Sequence, residues 1–453
     1  MDATHDPKVD RWLEQHLHAS LEELKQFVAV PSVGAQNRGL DEGAELVRAM
    51  LARRGFTTEV LPSGGAPVVL AERKGTRPGT LLFYNHYDVQ PAEPLDEWDS
   101  PPFEATLRDG KLYGRGVSDD KGHLMARLFA IDAVLSAYGE LPCSIKFVIE
   151  GEEETSSAHL HDFILHHRER LKADACVWEF GYVDHRDQPL QYAGLRGICY
   201  VELSVRSASQ DVHSGLGGSI FPNAAWRLTW ALSTLKGIDE RVAIPGFYDT
   251  VVPPTARDRA LMEALPEVAD EYRQRYGVRS FVRGLTGGSA LRIAEVFEPT
   301  CTICGLTSGY QGPGPKTVLP CVASAKVDFR LVPDQQPDVL LEQLRRHLDA
   351  HGFSDIEITC LGQEPPARTD PDHPFLKQVS ELAAPVYGSP MTIVPLVGGS
   401  GPNHPFVYDL GLPVATAGLG YPGGRVHAPN ENMRLDLYLK HAKHMARLIE
   451  AFA

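Results

Sequence analysis

The stretch KFVIEGEEETSS (146–157) runs an apolar segment, Phe147-Val148-Ile149, straight into four carboxylates: Glu150, Glu152, Glu153 and Glu154. Like charges this close repel, and any that lose water are costly to keep ionised. Two other apolar runs end in similar groups, TLLFYN in His86-Tyr-Asp88 and ACVW in Glu179. Asp119 and Asp120 occupy a Gly-flanked turn in GRGVSDDKGH, and His427 lies in GYPGGRVHAPNE, a Gly/Pro-rich loop that can hold a side chain away from the scaffold. Each signal alone has a bland alternative. An acidic run is usually a solvated face, an Asp pair before a helix usually a cap, and His-x-Asp a surface hydrogen bond. None of these explains why the groups recur at strand ends and Gly-rich turns. A divalent metal site does. Mixed His and carboxylate donors suit zinc, with cobalt or manganese as alternatives, and a bound cation cancels the repulsion.

In open α/β sheets, ligands bind beyond the carboxyl ends of the strands, so the preceding elements decide whether these groups converge. The apolar stripe Leu13, Leu17, Leu21, Leu24, Phe27, Val28 predicts a helix stopped by Pro31, and a second helix is expected at 42–54, closed by Gly55. The runs VVLAER, TLLFYNH, SIKFVIE and ACVWEF alternate with helices expected at 124–138 and 162–171. That pattern predicts an α/β domain with a central, mostly parallel sheet. From about Gly197 the texture becomes β-rich (ICYVELSVRS, TVLPCVASAKVDFRLVP, IEITCLG), with helices expected at 222–236, 260–276 and 338–351. This predicts an inserted α+β domain. A helix at 375–387, the runs MTIVPL and LPVATAG, and a last helix at 435–452 restore the α/β texture. The expected division is a discontinuous catalytic domain, 1–196 and 368–453, interrupted by an insertion at 197–367 of ordinary domain size.

The chain has 453 residues, too many for one comfortable core. Its net charge of −15 argues against nucleic acid and anionic membranes as partners. No apolar run is long enough to span a bilayer. The opening MDATHDPKVDRW has no basic segment followed by an apolar one, so no secretory signal is expected. Seven Cys, an odd and sparse count, suit a reducing cytoplasm. Cys301 and Cys304 have CxxC spacing, but in a β-like run they read as two small strand residues.

The motifs HYDVQP, LYGRGVSDDKG, EGEEETSS, AGLRG, DVHSGLGG, KTVLP, DFRLVP and VHAPNE follow one another in the chain. In this order they resemble the di-zinc metallopeptidase and deacylase family of carnosinases, cytosolic dipeptidases, glutamate carboxypeptidase, aminoacylase and succinyl-diaminopimelate desuccinylase. The resemblance runs from about residue 20 to the C-terminus, and LYGRGVSDDKG and GPGPKTVLP…FRLVP are most like the dipeptidase branch. It implies two zinc ions, with His86 and Glu179 on one, Glu154 and His427 on the other, and Asp119 bridging both. It implies that Asp88 accepts the second N–H of His86. Glu153 would be the general base, taking a proton from a metal-held water and returning it to the leaving amine. The insertion would be a lid and dimerisation domain of a homodimer. There His213 would cross to the partner's site to stabilise the oxyanion, and Arg330 would grip a substrate carboxylate with its guanidinium fork. Thr317, Gly399 and Ser400 match further substrate-contacting positions.

The function so implied is metal-dependent hydrolysis of an amide bond in a dipeptide or small peptide with a free carboxylate. The alternative is deacylation of an N-acetyl, N-succinyl or N-carbamoyl amino acid. A non-catalytic binding protein on the same fold would have lost a ligand or the base, and here every position is filled. Two departures bear on specificity. Leu396-Val397 stand where the dipeptidase branch often has Arg-Glu, which implies a more apolar loop. Glu179 stands where several dipeptidases have Asp, and Glu there is associated with carboxypeptidases and aminoacylases. Within EGEEE, Glu152 is expected to face solvent, and Glu150 to end the strand or support the site.

Overall fold

The computed structural model describes residues 5–452. The four residues before His5, on which part of the expectation about a secretory signal rests, lie outside the described residues, as does Ala453. The chain divides into two compact units. One comprises the chain up to Gly194, Arg368–Pro395 and the chain from Pro402 onward. The other is Leu195–Ala367 with Leu396–Gly401.

The first unit is built on a six-stranded sheet in the order Thr57–Leu61, Val68–Arg73, Ser144–Glu150, Thr80–His86, Ala175–Trp178, Val414–Thr416. The last four strands pair in parallel, and the first two join antiparallel at one edge. The period of two sorts side chains to opposite faces. Leu81, Phe83, Phe147 and Val177 enter a core with the helices Pro7–Val28, Lys121–Tyr138 and Leu435–Ala451. Leu82, Tyr84, Val148 and Trp178 enter a second core with Leu160, Phe163 and Phe406. Both faces are therefore covered, which is why these strands read as unbroken apolar runs. Aromatic stacking joins neighbouring strands within each core: Phe83 on Phe147, with ring centroids 5.1 Å apart, and Tyr84 on Trp178, at 4.2 Å.

The second unit has a four-stranded antiparallel sheet, in the order Thr300–Ser308, Val322–Leu331, Gly197–Arg206, Glu357–Glu364. Helices Ala224–Leu235 and Pro337–Ala350 cover one face, where Val201, Leu203, Val327 and Phe329 are buried. Asn223 caps the first of these helices by accepting the Trp226 N–H at 3.1 Å.

Three sequence expectations need correction. The single helix expected at 260–276 is two, Ala256–Glu263 and Ala269–Tyr276. Pro266 falls between them and offers no N–H to continue a helix. The helix expected to end at Leu171 ends at His167; beyond it, the carbonyls of Arg170 and Lys172 accept from the Lys146 ammonium. Of MTIVPL only Thr392–Val394 is a strand, and it joins a small sheet with Pro189–Tyr192 and Tyr182–Val183.

Candidate metal centre

His86 ends a central strand on the same face as Tyr84, and its ring is fully buried. Its Nδ1 lies 3.0 Å from the Asp88 main-chain carbonyl and 3.3 Å from the Asp88 carboxylate. The Nδ1–H therefore donates to Asp88, chiefly through the backbone oxygen, which leaves Nε2 as the nitrogen free to meet a metal. Nε2 faces Asp119 Oδ1 at 3.1 Å and Glu179 Oε2 at 3.8 Å. The Asp88 carboxylate has a second task. It accepts the backbone N–H groups of Glu153, at 3.2 Å, and Glu154, at 3.0 Å. It thereby anchors the short turn Glu153–Thr155 that follows the Ser144–Glu150 strand.

Glu154 Oε2 lies 3.1 Å from His427 Nε2, and the same nitrogen is 3.0 Å from Asp119 Oδ2. Asp119 thus turns one oxygen to each histidine. Gln90 holds Glu154 Oε2 from behind at 2.9 Å. His427 sits at φ 62°, in left-handed backbone that non-glycine residues rarely adopt. Its side chain is 53% exposed, so this side of the cluster is open to solvent. Glu431, four residues on and fully buried, accepts the N–H groups of Gly116, Ser118 and Asp119 and pairs with Arg115 at 2.8 Å. It fastens the His427 loop to the Asp119 turn.

Two donor sets result, His86 with Asp120 and Glu179, and Asp119 with Glu154 and His427. Within each set, one ligand atom from every residue lies within 4.8 Å of the others. Glu179 Oε2 is buried with no hydrogen-bond partner. A carboxylate oxygen stranded in this way is costly unless a cation meets it. Without a metal, protons take the cation's place. Burial, reinforced by Glu153, raises Glu179, and burial with Glu154 and Asp119 raises Glu153. Burial opposes charge on His86 and His427, but neighbouring carboxylates, Asp119 foremost, win and raise both. Asp119 moves the other way: burial opposes its ionisation, but hydrogen bonds from the two imidazoles lower it. A cluster this rich in carboxylates and short of cations fits a pair of divalent ions.

The sequence profile of peptidase family M20/M25/M40 matches residues 82–451. The chain belongs to this family. It is 31% identical over 363 residues to the Beta-Ala-His dipeptidase of Homo sapiens, covering 76% of this chain and 71% of the relative. It is 27% identical over 444 residues to the Cys-Gly metallodipeptidase dug1 of Schizosaccharomyces pombe, covering 93% and 92%. Among solved structures it resembles the M20 family metallo-carboxypeptidase Sso-CP2 from Sulfolobus solfataricus, with a TM-score of 0.91 and 37% identity over 96% of this chain and 99% of that one. The protein is a metallopeptidase of this family, and its α/β catalytic fold agrees with the resemblance drawn from the motifs.

Asp120, Glu431 and Gln90 also belong to this peptidase's centre, though no motif alone assigns them a task. Asp120 Oδ2 accepts from Asn85 at 2.6 Å and from the His86 N–H at 3.2 Å, while its Oδ1 has no hydrogen-bond partner. The signal for it was the doubled Asp in SDDKG, and for Glu431 the last residue of VHAPNE; Gln90 left none beyond HYDVQP. Glu152 is not solvent-facing. The left-handed turn at Ser156 and Ser157 brings His159 back onto its carboxylate at 2.8 Å. Glu150 is buried and accepts the Tyr84 and Ser157 hydroxyls at 2.6 and 2.9 Å.

The other expected site residues belong to the second unit. His213 Nδ1 accepts the Gly215 N–H at 3.0 Å, which leaves Nε2 as its donor, and Thr317 Oγ1 lies 3.4 Å from that nitrogen. Arg330 Nε donates to Asp328 at 3.1 Å and Nη1 to Ser400 at 2.8 Å. The Gly399 carbonyl accepts the Arg196 N–H at 3.0 Å, and a Cβ on Gly399 would meet open space. Cys301 is buried and Cys304 exposed, and both thiols are free.

Proposed function

We propose that this peptidase is a zinc dipeptidase that cleaves a dipeptide or short peptide carrying a free C-terminal carboxylate. The observation that carries the reading is the bridging stance of Asp119, with one oxygen 3.1 Å from His86 Nε2 and the other 3.0 Å from His427 Nε2. His86 and Glu179 would hold one ion, Glu154 and His427 the other, and Asp119 both. When bound, the ions acidify a water and polarise the scissile carbonyl. Glu153, one residue before a ligand and backed by Asp88, receives the water's proton on its carboxylate and returns it to the leaving amine. Its anchored backbone keeps the carboxylate in place through both transfers.

In the second unit, the Arg330 guanidinium is oriented by Asp328 and Ser400, and Nη2 remains for a substrate carboxylate. Ser400 aims that fork, and Thr317 and Gly399 would add further contacts to substrate. The dipeptidase names of two relatives and the carboxypeptidase name of the third support a substrate with a free terminal carboxylate. His213, with its Nε2 donor, serves the oxyanion of a partner's site in a homodimer. Support comes from large apolar side chains left exposed nearby: Leu216, Ile220, Phe221, Trp226 and Trp230. Seven free thiols suit a cytoplasmic setting, and no helix among the described residues is long and apolar enough to cross a membrane.

The test is a substrate panel on enzyme loaded with zinc, cobalt or manganese. It compares free dipeptides, their C-terminal amides, and N-acetyl, N-succinyl and N-carbamoyl amino acids. Free dipeptides should be turned over and their amides should lose most of kcat/KM. Preference for the N-acyl compounds would replace the dipeptidase reading with a deacylase.

A further inference from the structure

The Lys121–Tyr138 helix starts immediately after the Asp119-Asp120 turn and is mostly apolar; its charged side chains are Lys121, which donates to the Phe27 and Val30 carbonyls, Asp132, which pairs with Arg54, and Arg127. Seven residues after Asp120, and so two helical turns on, Arg127 shares a helix face with that carboxylate. It is fully buried. Its guanidinium bonds directly to no carboxylate. Nη1 donates to the Tyr84 carbonyl at 2.8 Å and to Asn85 Oδ1 at 2.7 Å. Nη2 donates to the Trp178 carbonyl, to the Glu179 carbonyl at 3.0 Å, and at longer range to the Ala417 carbonyl at 3.5 Å. One side chain thus gathers the carboxyl ends of three adjacent parallel strands. Asn85 extends the set, because its Nδ2 donates to Asp120 Oδ2, which also accepts the His86 N–H.

Buried arginine is expensive to keep charged, and a fork with several fixed donors is the group best able to hold several acceptors at once. The acceptors here flank His86 and carry Glu179. The other set, Asp119, Glu154 and His427, is supported differently: Glu431 accepts the Asp119 N–H, Asp88 accepts the Glu154 N–H, and Gln90 donates to Glu154 Oε2. We propose that Arg127, acting through Asn85 and Asp120, is a positioning residue for the metal held by His86 and Glu179. It fixes the spacing of two ligands on neighbouring strands and leaves the second metal position to other supports. The inference rests on the ligand assignment above.

The test uses metal-stripped full-length protein, with Arg127→Leu and Asn85→Ala beside wild type. Cobalt is titrated in, followed by its visible absorption and by bound metal per chain after desalting, with thermal melts as a check on folding. Wild type should take up two ions. Arg127→Leu should lose about 10–100-fold in affinity for one of them, the usual effect of removing a group that supports a metal ligand, while the other changes less than about threefold. Adding Glu154→Ala to Arg127→Leu should abolish retention of both ions. Asn85→Ala should weaken the same ion by a smaller factor. Both ions binding Arg127→Leu as in wild type, or both weakening equally, would overturn the inference. If Arg127→Leu does not fold, Asn85→Ala decides by the same criterion. A wild type that binds fewer than two ions would instead refute the ligand assignment.

Discussion

Tyr84 donates its hydroxyl to the Glu150 carboxyl at 2.6 Å, inside the sheet and away from water. Burial pushes Glu150 up to about 8, with the Asp88 charge adding to the shift and the Tyr84 and Ser157 hydrogen bonds opposing it. In the unfolded chain this carboxyl titrates near 4.5. The folded state therefore holds a proton that the unfolded state releases, and stability falls as pH rises between those two values. Glu150→Gln keeps a neutral group of the same shape. In metal-free protein its melting temperature should exceed that of wild type at pH 8.5, and the gap should close toward pH 5. A gap independent of pH would show that Glu150 is ionised in the fold.

Glu153→Gln should separate chemistry from metal binding. Glu153 is the proposed base, whereas Glu154 is a proposed ligand on the same Asp88-anchored turn. Loss of a general base costs roughly 10²–10⁴-fold in rate. The expected result is that drop in kcat with two ions still bound, measured by steady-state kinetics and metal analysis on one preparation. Unchanged turnover would remove Glu153 from the mechanism.

Metal uptake should release protons. His86, His427, Glu154 and Glu179 are all raised in the metal-free centre, whereas Asp119 is lowered and already ionised. The raised groups must lose protons before they bind an ion, so apparent affinity should rise with pH across the neutral range. Calorimetric titration of EDTA-stripped protein with zinc, in two buffers of different ionisation enthalpy, gives the number released. At least one proton per chain is expected. EDTA should abolish activity, and zinc, cobalt or manganese should restore it. Release of no proton at neutral pH would mean that these residues are not the ligands.

The strands and the donor types were legible because both leave local patterns. Leu81 and Phe83 alternate with Leu82 and Tyr84 between two cores, and an apolar run that stops at His86 or Glu179 marks a strand's carboxyl end. Pro266 marked a helix break that the charge pattern over 260–276 concealed. What the sequence hides is pairing across distance. Asp88 supports the Glu153–Thr155 turn through main-chain N–H groups, and any residue type supplies those. Glu152 is drawn inward by His159 only because Ser156 and Ser157 turn the chain back. Arg127 is a charge in a mostly apolar helix, but apart from the Asn85 side chain its partners are carbonyls at 84, 178, 179 and 417. Their side-chain identities say nothing about what their carbonyls bond.

Arg330 offers the sharpest test of substrate recognition. Asp328 and Ser400 occupy Nε and Nη1, so the fork is aimed before substrate arrives, and a carboxylate gains a charge-assisted bond without the cost of ordering a free side chain. Arg330→Lys keeps the positive charge but replaces the planar fork with a point charge that cannot keep both supports and a third partner. A hydrogen bond to a charged group contributes roughly 1.5–3 kcal/mol, so KM for a free dipeptide should rise about 10–100-fold. If the bond forms equally in ground and transition states, kcat should stay within about threefold. Ser400→Ala removes only the aim and should raise KM by a smaller factor. The C-terminal amide of the same dipeptide should be a poor substrate for wild type and no worse for Arg330→Lys. An equal loss on acid and amide would mean that Arg330 serves the fold of the second unit and does not touch the substrate carboxylate.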